Sequence, residues 1–108
     1  MTYFQNLELL DQAIDDYALL NKTQRKVLKA LIKVNVEDYS IISIKELGKI
    51  VQATATPISN AISKLEKEGI IEDIQRRGVV FTGCKIKQSK ISEIINRHKI
   101  KIAQLENK

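Results

Sequence analysis

Apolar residues recur along most of this chain at steps of three and four, the spacing that predicts helices with one buried face. Between residues 4 and 20, Leu7, Leu10, Ile14 and Tyr17 fall on one side of a helix whose other side is acidic. Asn21-Lys22-Thr23 breaks the pattern with capping residues, and Val27, Leu28, Leu31 and Ile32 resume it, flanked by Lys26, Lys29 and Lys33. Residues 35–42 read as a loop that ends in a short strand at Ile41 and Ile42. Ser43-Ile44-Lys45-Glu46 fits a capping box and starts a short helix. Thr56-Pro57 reads as a second start, an N-cap with proline at the first helical position, so two short helices should meet at a tight turn. In the second, Ile58, Ile62 and Leu65 are spaced for burial, and Gly69 suits a left-handed helix terminus just past Glu68.

Beyond Gly69 the period changes. The stretches Ile70–Gln75 and Val79–Ile86 are rich in β-branched residues and are separated by Arg76-Arg77-Gly78, which predicts a β-hairpin with a basic tip. From Gln88 onward, Ile91, Ile95, His98, Ile102 and Leu105 form a heptad seam that Ile94 widens, so the chain should close on a long helix. No repeat or linker divides the sequence. The expectation is one domain over 1–108, mainly α with a small β-hairpin: an N-terminal helix over 1–20, a core over 21–87 and a C-terminal helix over 88–108.

Charge narrows the partner. The net charge is +5, yet residues 1–20 carry four acids (Glu8, Asp11, Asp15, Asp16) and no Lys or Arg, so the remainder holds +9. A surface of that sign gathers polyanions by counterion release. With no Trp and two Phe, stacking platforms for single-stranded nucleic acid are not available, which favours a duplex. No stretch has the length of a membrane span, and the acidic amino terminus lacks the form of a signal peptide. The single cysteine, Cys84, cannot form an internal disulfide, so the expected compartment is the reducing cytoplasm.

Catalytic chemistry is not indicated. One His and one Cys supply no metal-ligand cluster, and no glycine-rich phosphate loop, nucleophile elbow or paired catalytic carboxylates appear. No metal, cofactor or enzymatic activity is expected. Cys84 reads as an inert half-buried thiol in a strand, and His98 as a member of the apolar seam.

The order helix, helix, short helix, tight turn, helix, hairpin resembles the winged helix-turn-helix domain of MarR-like regulators. Asn21-Lys22-Thr23-Gln24-Arg25-Lys26-Val27-Leu28 is similar to the start of a core helix that a Thr caps there. Ser43–Leu47 and Thr56–Ile71 look like the helix-turn-helix and its junction with the first wing strand. The resemblance covers residues 21–87. The short wing is closer to ArsR-like proteins and to the TubR-like centromere-binding adaptors of plasmids and phages.

The resemblance implies that the helix after Pro57 lies in a major groove. Removing its buried residues leaves Thr56, Ser59, Asn60, Ser63, Lys64 and Lys67 facing DNA. Asn60 is suited to adenine, and the lack of Arg on this face points to an A·T-rich site. Arg76 and Arg77 suit a narrow minor groove, while Lys22, Arg25, Lys26, Lys45 and Lys49 are candidates for phosphate contacts. Leu7, Leu10 and Ile14, with Ile91, Ile95, His98, Ile102 and Leu105, are expected at a homodimer interface, the terminal helices acting as dimerisation helices; the alternative is that these helices pack within one chain. The function so read is sequence-specific binding of double-stranded DNA by a homodimeric transcriptional regulator. One alternative is a partition adaptor that presents its DNA complex to a filament-forming partner; another is a winged-helix protein-interaction module.

Overall fold

The first helix is shorter than its apolar spacing suggests. In the computed structural model, which describes residues 7–106, α1 runs Leu7–Asp15 and the chain then turns. The Tyr17 N–H donates to the Ile14 carbonyl at 3.1 Å and the Leu20 N–H to the Tyr17 carbonyl at 3.3 Å. Tyr17 and Leu20 are still buried, so the turns continue the apolar face that the helix began. The Leu7 side chain, predicted at an interface, and the segment before it lie outside the described residues.

Helix α2 (Lys22–Lys33) passes through the centre of the molecule and buries Val27, Leu28, Ala30, Leu31 and Ile32. Its cap is Asn21, whose side chain accepts from the Gln24 N–H at 2.9 Å while the Gln24 side chain accepts from the Asn21 N–H at 2.9 Å. Thr23 therefore does not cap the helix; it sits in the first turn. The reciprocal bonds satisfy two donors that every helix start leaves without intrahelical partners.

The loop expected before Ser43 is a small hairpin: β1 (Asn35–Val36) and β2 (Tyr39–Ile41). With β3 (Ile71–Arg77) and β4 (Val80–Ile86) they form one antiparallel sheet in the order β1-β2-β4-β3. Ser40 locks this sheet to the helical layer. Fully buried, it donates from Oγ to the Leu31 carbonyl at 2.6 Å and accepts from the Asn35 side-chain amide at 3.2 Å.

Helices α3 (Ile44–Val51) and α4 (Ala55–Lys67) pack on α2 and on each other. The last helix, α5 (Gln88–Glu106), packs against α1. Asp16 joins them: it accepts from Lys101 at 2.8 Å and lies 3.3 Å from Nδ1 of His98. Those contacts hold its carboxyl below the usual range, the Lys101 hydrogen bond most of all. Asp11 and Asp15 meet Lys29 of α2 at 3.2 and 2.6 Å. Lys101 thus meets the acid that follows α1, whereas Arg97 pairs with Glu93 on its own helix at 3.1 Å.

This packing corrects part of the predicted dimer surface. Leu10, Ile14 and Ile91 are 2%, 1% and 3% exposed, inside the protein's own core, and so present no face to a partner. Ile94 joins Ile91 as a buried residue of α5, and Ile95 packs at the edge of the core. His98 and Ile102 are half-buried and Leu105 is 62% exposed.

Replacing Ser40 with Ala should leave the Leu31 carbonyl and the Asn35 amide without their buried partner, at a cost of about 1–3 kcal/mol. Urea denaturation should show a lower midpoint with an unchanged slope.

Candidate nucleic-acid interface

The approach of α3 to α4 decides what the second helix can present. Helix α3 starts in a complete capping box, with the Ser43 hydroxyl accepting from the Glu46 N–H at 3.1 Å and Glu46 Oε1 3.4 Å from the Ser43 N–H. It ends at Gln52, which adopts the left-handed conformation with φ 61°. Two residues later Thr54 begins α4. The turn is tight enough that the Ala53 N–H donates to the Gly48 carbonyl at 3.0 Å. A Cβ at Gly48 would lie 2.8 Å from the Ala53 carbonyl oxygen, a distance that real side chains do not tolerate. Gly48 is thus the residue that lets the two helices meet, and the sequence reading passed over it. A glycine inside an amphipathic helix was the available signal.

The start of α4 also differs from the sequence reading. Thr54 occupies the N-cap position, so Thr56 and Pro57 are the second and third helical residues. Proline is accommodated because first-turn N–H groups have no intrahelical acceptor to lose. Ile58, Ala61, Ile62 and Leu65 face the core, as the spacing of Ile58, Ile62 and Leu65 required. The far side is exposed: Thr56, the adjacent Ser59 and Asn60, Ser63 and Lys67 recur turn by turn and lie on one face. Lys64 is half-buried and pairs with Glu68 at 2.9 Å; that hydrogen bond holds the Glu68 carboxyl below its usual range. Lys64 therefore adds little free charge to this face.

Lys45 and Lys49 stand one turn apart on α3 and are exposed. With Ile44, Gly48, Ala53 and Ala55 they line a shallow groove at the turn from α3 to α4. Lys22 and Lys26 are exposed on α2. Arg25 has another role. Its Nε and Nη2 donate to the Tyr17 carbonyl at 3.3 and 2.9 Å, closing the turn between α1 and α2, so this guanidinium is a structural clamp rather than a free phosphate contact.

At Gly69 the backbone takes φ +73°, and the chain leaves α4 for β3. The β3–β4 hairpin closes on Gly78 and Val79, so Arg76 and Arg77 are the last two residues of β3 rather than its tip. Arg76 pairs across the hairpin with Phe81 and Arg77 with Val80. Successive strand residues point to opposite faces, so the two guanidiniums straddle the hairpin and do not crowd each other. Both are exposed. Along β3 the ladder shifts register around Asp73, whose φ is 51°. The Tyr39 hydroxyl donates to Asp73, and the Gln75 amide donates to the Asp73 carbonyl and Oδ1 at 3.2 and 3.0 Å. This bulge is pinned to β2 by Tyr39, and a second register shift follows between Gln75 and Arg76, nearer the turn.

Cys84 lies on β4, fully buried, and burial pushes its thiol up to about 12. Among the described residues no group of three or more His, Cys, Asp or Glu is placed to hold a metal ion, and no helix is long and apolar enough to cross a membrane.

Residues 20–72 match the model of the winged helix-turn-helix DNA-binding family. Solved structures that share the fold include two regulators or regulator-like proteins. One, from Methanosarcina mazei Go1 and described as a possible transcriptional regulator, is 18% identical, covers 93% of this chain and 81% of its own, and superimposes with a TM-score of 0.55. The other, a MarR family protein from Bacillus stearothermophilus, is 14% identical with a TM-score of 0.52; the match covers 87% of this chain and 64% of that one. No curated protein sequence matches the chain.

Gly48→Ala should force the α3–α4 turn apart and destabilise the fold by about 1–3 kcal/mol, the range for overpacking a close contact. Lys45→Ala, one turn earlier and exposed, should stay within about 0.5 kcal/mol of the parent; thermal melts of both compare the two. Cys84 should resist alkylation at pH 8 in the folded protein and react fully in denaturant, as mass spectrometry would show.

Proposed function

The chain carries a winged helix-turn-helix DNA-binding domain, and from that premise we propose that it acts as a sequence-specific regulator of transcription, binding double-stranded DNA as a homodimer. The observation that carries this reading is the exposed polar face of α4, with Thr56, Ser59, Asn60, Ser63 and Lys67 aligned and the Lys45–Lys49 pair lining the groove at the turn from α3. A helix held in this way enters a major groove with its outer face toward base edges. Asn60 is placed near the middle of that face, where its amide suits adenine, and Thr56 lies in the first turn, where the helix dipole favours a phosphate. Lys45, Lys49, Lys22 and Lys26 supply positioning contacts to the backbone. The likeness to a protein described as a possible transcriptional regulator supports the regulatory reading.

The dimer is drawn from what α5 leaves uncovered. Leu105 is 62% exposed on the outer half of a 19-residue helix, with Ile102 and His98 half-buried on the same side. A second copy seated there would relate two α4 helices by a twofold axis and place them about one DNA turn apart, roughly 34 Å. The surface so assigned is Ile95, His98, Ile102 and Leu105.

The test is the affinity of the purified protein for a duplex from its own gene's flanking region and for an unrelated duplex, measured against salt. Binding should weaken steeply with salt, by about 0.9 in the logarithmic slope for each phosphate contact, and should favour the flanking duplex. Asn60→Ala should cost about 1–3 kcal/mol at the preferred site and little on the unrelated duplex. A single palindromic operator supports regulation, whereas tandem repeats filled cooperatively support the partition adaptor. Binding to neither duplex at low salt defeats both.

A further inference from the structure

The outer face of the sheet carries side chains that the core does not use. Ser40 and Cys84 pair across β2 and β4 and are fully buried, so their neighbours along each strand point away from the helices. On that outward face Val36, Tyr39, Lys85 and Glu72 form one row across the four strands, and Ile41, Gly83 and Gln75 form the next. Val36 is 74% exposed and Ile41 67%. Threonine would satisfy the strand equally at both positions and leave the face polar.

Tyr39 organises this surface. Because β4 lies between β2 and β3, the Tyr39 side chain crosses β4 to donate its hydroxyl to Asp73. Beside it, a Cβ at Gly83 would stand 3.0 Å from Ile41 Cδ1, so the missing side chain lets Ile41 lie against the β4 backbone. The phenol ring is thus held at both ends, next to two exposed aliphatic side chains.

The rim is acidic. Glu37 and Asp38 form the turn between β1 and β2, and Glu72 and Asp73 lie on β3. Asp73, through its hydrogen bond and then its charge, raises the Tyr39 phenol above its usual range, and the charges of Asp38 and Glu72 add to the effect. Three of these acids therefore surround the ring. None of the four enters an ion pair among the described residues, although the chain carries a net charge of +5. Lys85, half-buried between Tyr39 and Glu72, is the one base in the two rows. Glu37 takes φ 56°, a left-handed conformation that glycine or asparagine adopts at less cost, so the backbone of this turn gives no reason for an acid there.

We propose that this face is a docking surface for a second protein, and that the occupant is a segment carrying Lys or Arg around aliphatic residues. The chemistry of the occupant follows from what the face offers. Unpaired carboxylates repel a nucleic-acid backbone and an anionic membrane alike, and attract a cationic segment. The bulge at Asp73 blunts the free edge of β3 against strand addition, so the contact is made on the face of the sheet. An aromatic ring already fixed by a hydrogen bond loses little freedom on contact and suits the centre of an interface, with charged groups at its rim. The bond from Ser40 to the Leu31 carbonyl puts the helical layer behind the sheet, so this face is separate from the polar face of α4.

The test titrates a short synthetic peptide of alternating Lys and Leu into the isotope-labelled full chain, with a Glu–Leu peptide as control, and follows amide chemical shifts. Shifts should move saturably at Val36, Tyr39, Ile41 and Gln75 with the Lys–Leu peptide and stay still with the other. Val36→Thr combined with Ile41→Thr should melt near the parent temperature, while its affinity for the peptide falls roughly three- to tenfold. Glu37→Gln combined with Asp38→Asn should weaken binding and flatten its salt dependence. No saturable response, a response centred on the acids of α1, or parent-like affinity of the double threonine variant would overturn the assignment. Weaker binding of duplex DNA by the double threonine variant than by the parent would overturn it as well, because the face would then belong to the nucleic-acid surface.

Discussion

One close contact governs the geometry of the candidate site. The backbone of α3 at Gly48 approaches the Ala53 carbonyl so closely that no side chain fits between them. Because the turn from Gln52 to Thr54 is that short, α4 leaves α3 at an angle set by backbone packing rather than by a flexible loop. Burial of Ile58, Ala61, Ile62 and Leu65 then fixes the rotation of α4 about its own axis. Once rotation and angle are both determined, the polar residues at 56, 59, 60, 63 and 67 have nowhere to face but solvent. The identity of the exposed face is thus a consequence of core packing.

Electrostatics sort the basic residues into two populations. Lys29 and Lys101 are held by the acids of α1 and its following turn, Lys64, Lys90 and Arg97 by carboxylates on or near their own helices, and Arg25 by a backbone carbonyl. These charges stabilise the fold locally, and exposed pairs of this kind contribute modestly. Among the described residues, basic side chains outside any ion pair include Lys45 and Lys49 on α3, Lys22 and Lys26 on α2, Lys67 on α4, Arg76 and Arg77 on the hairpin and Lys99 on α5. Net charge in the sequence therefore overstates the field available to a polyanion, and the distribution matters more than the total.

Periodicity carried most of the fold. The buried sets of α2 and α4, the capping box at Ser43, the left-handed Gly69 and the β3–β4 hairpin were all legible because each depends on local chemistry. Other features were not, three of them for distinct physical reasons. The N-cap at Thr54 was hidden because Thr56-Pro57 offers the stronger local pattern, while a proline in the first turn costs the helix little. The role of Arg25 could not be read from charge, because its acceptor is a backbone carbonyl eight residues away, exposed only by the turn that ends α1. Leu10, Ile14 and Ile91 looked like interface residues because an amphipathic stripe does not reveal whether its partner is in the same chain. At the candidate site, the polar face of α4 and the exposed Lys45 and Lys49 followed from pattern alone, whereas Gly48 and the Asp73 bulge required knowing which backbones touch.

The hairpin of two residues has a kinetic side. A wing closed by Gly78 and Val79, with its bulge already tied to β2, has no long loop to order when a ligand arrives. The entropy lost at this part of an encounter is confined to a few side-chain rotors, chiefly those of Arg76 and Arg77. A pre-shaped wing of this kind favours rapid capture over slow rearrangement, and it leaves differences between ligands to appear in how long they stay.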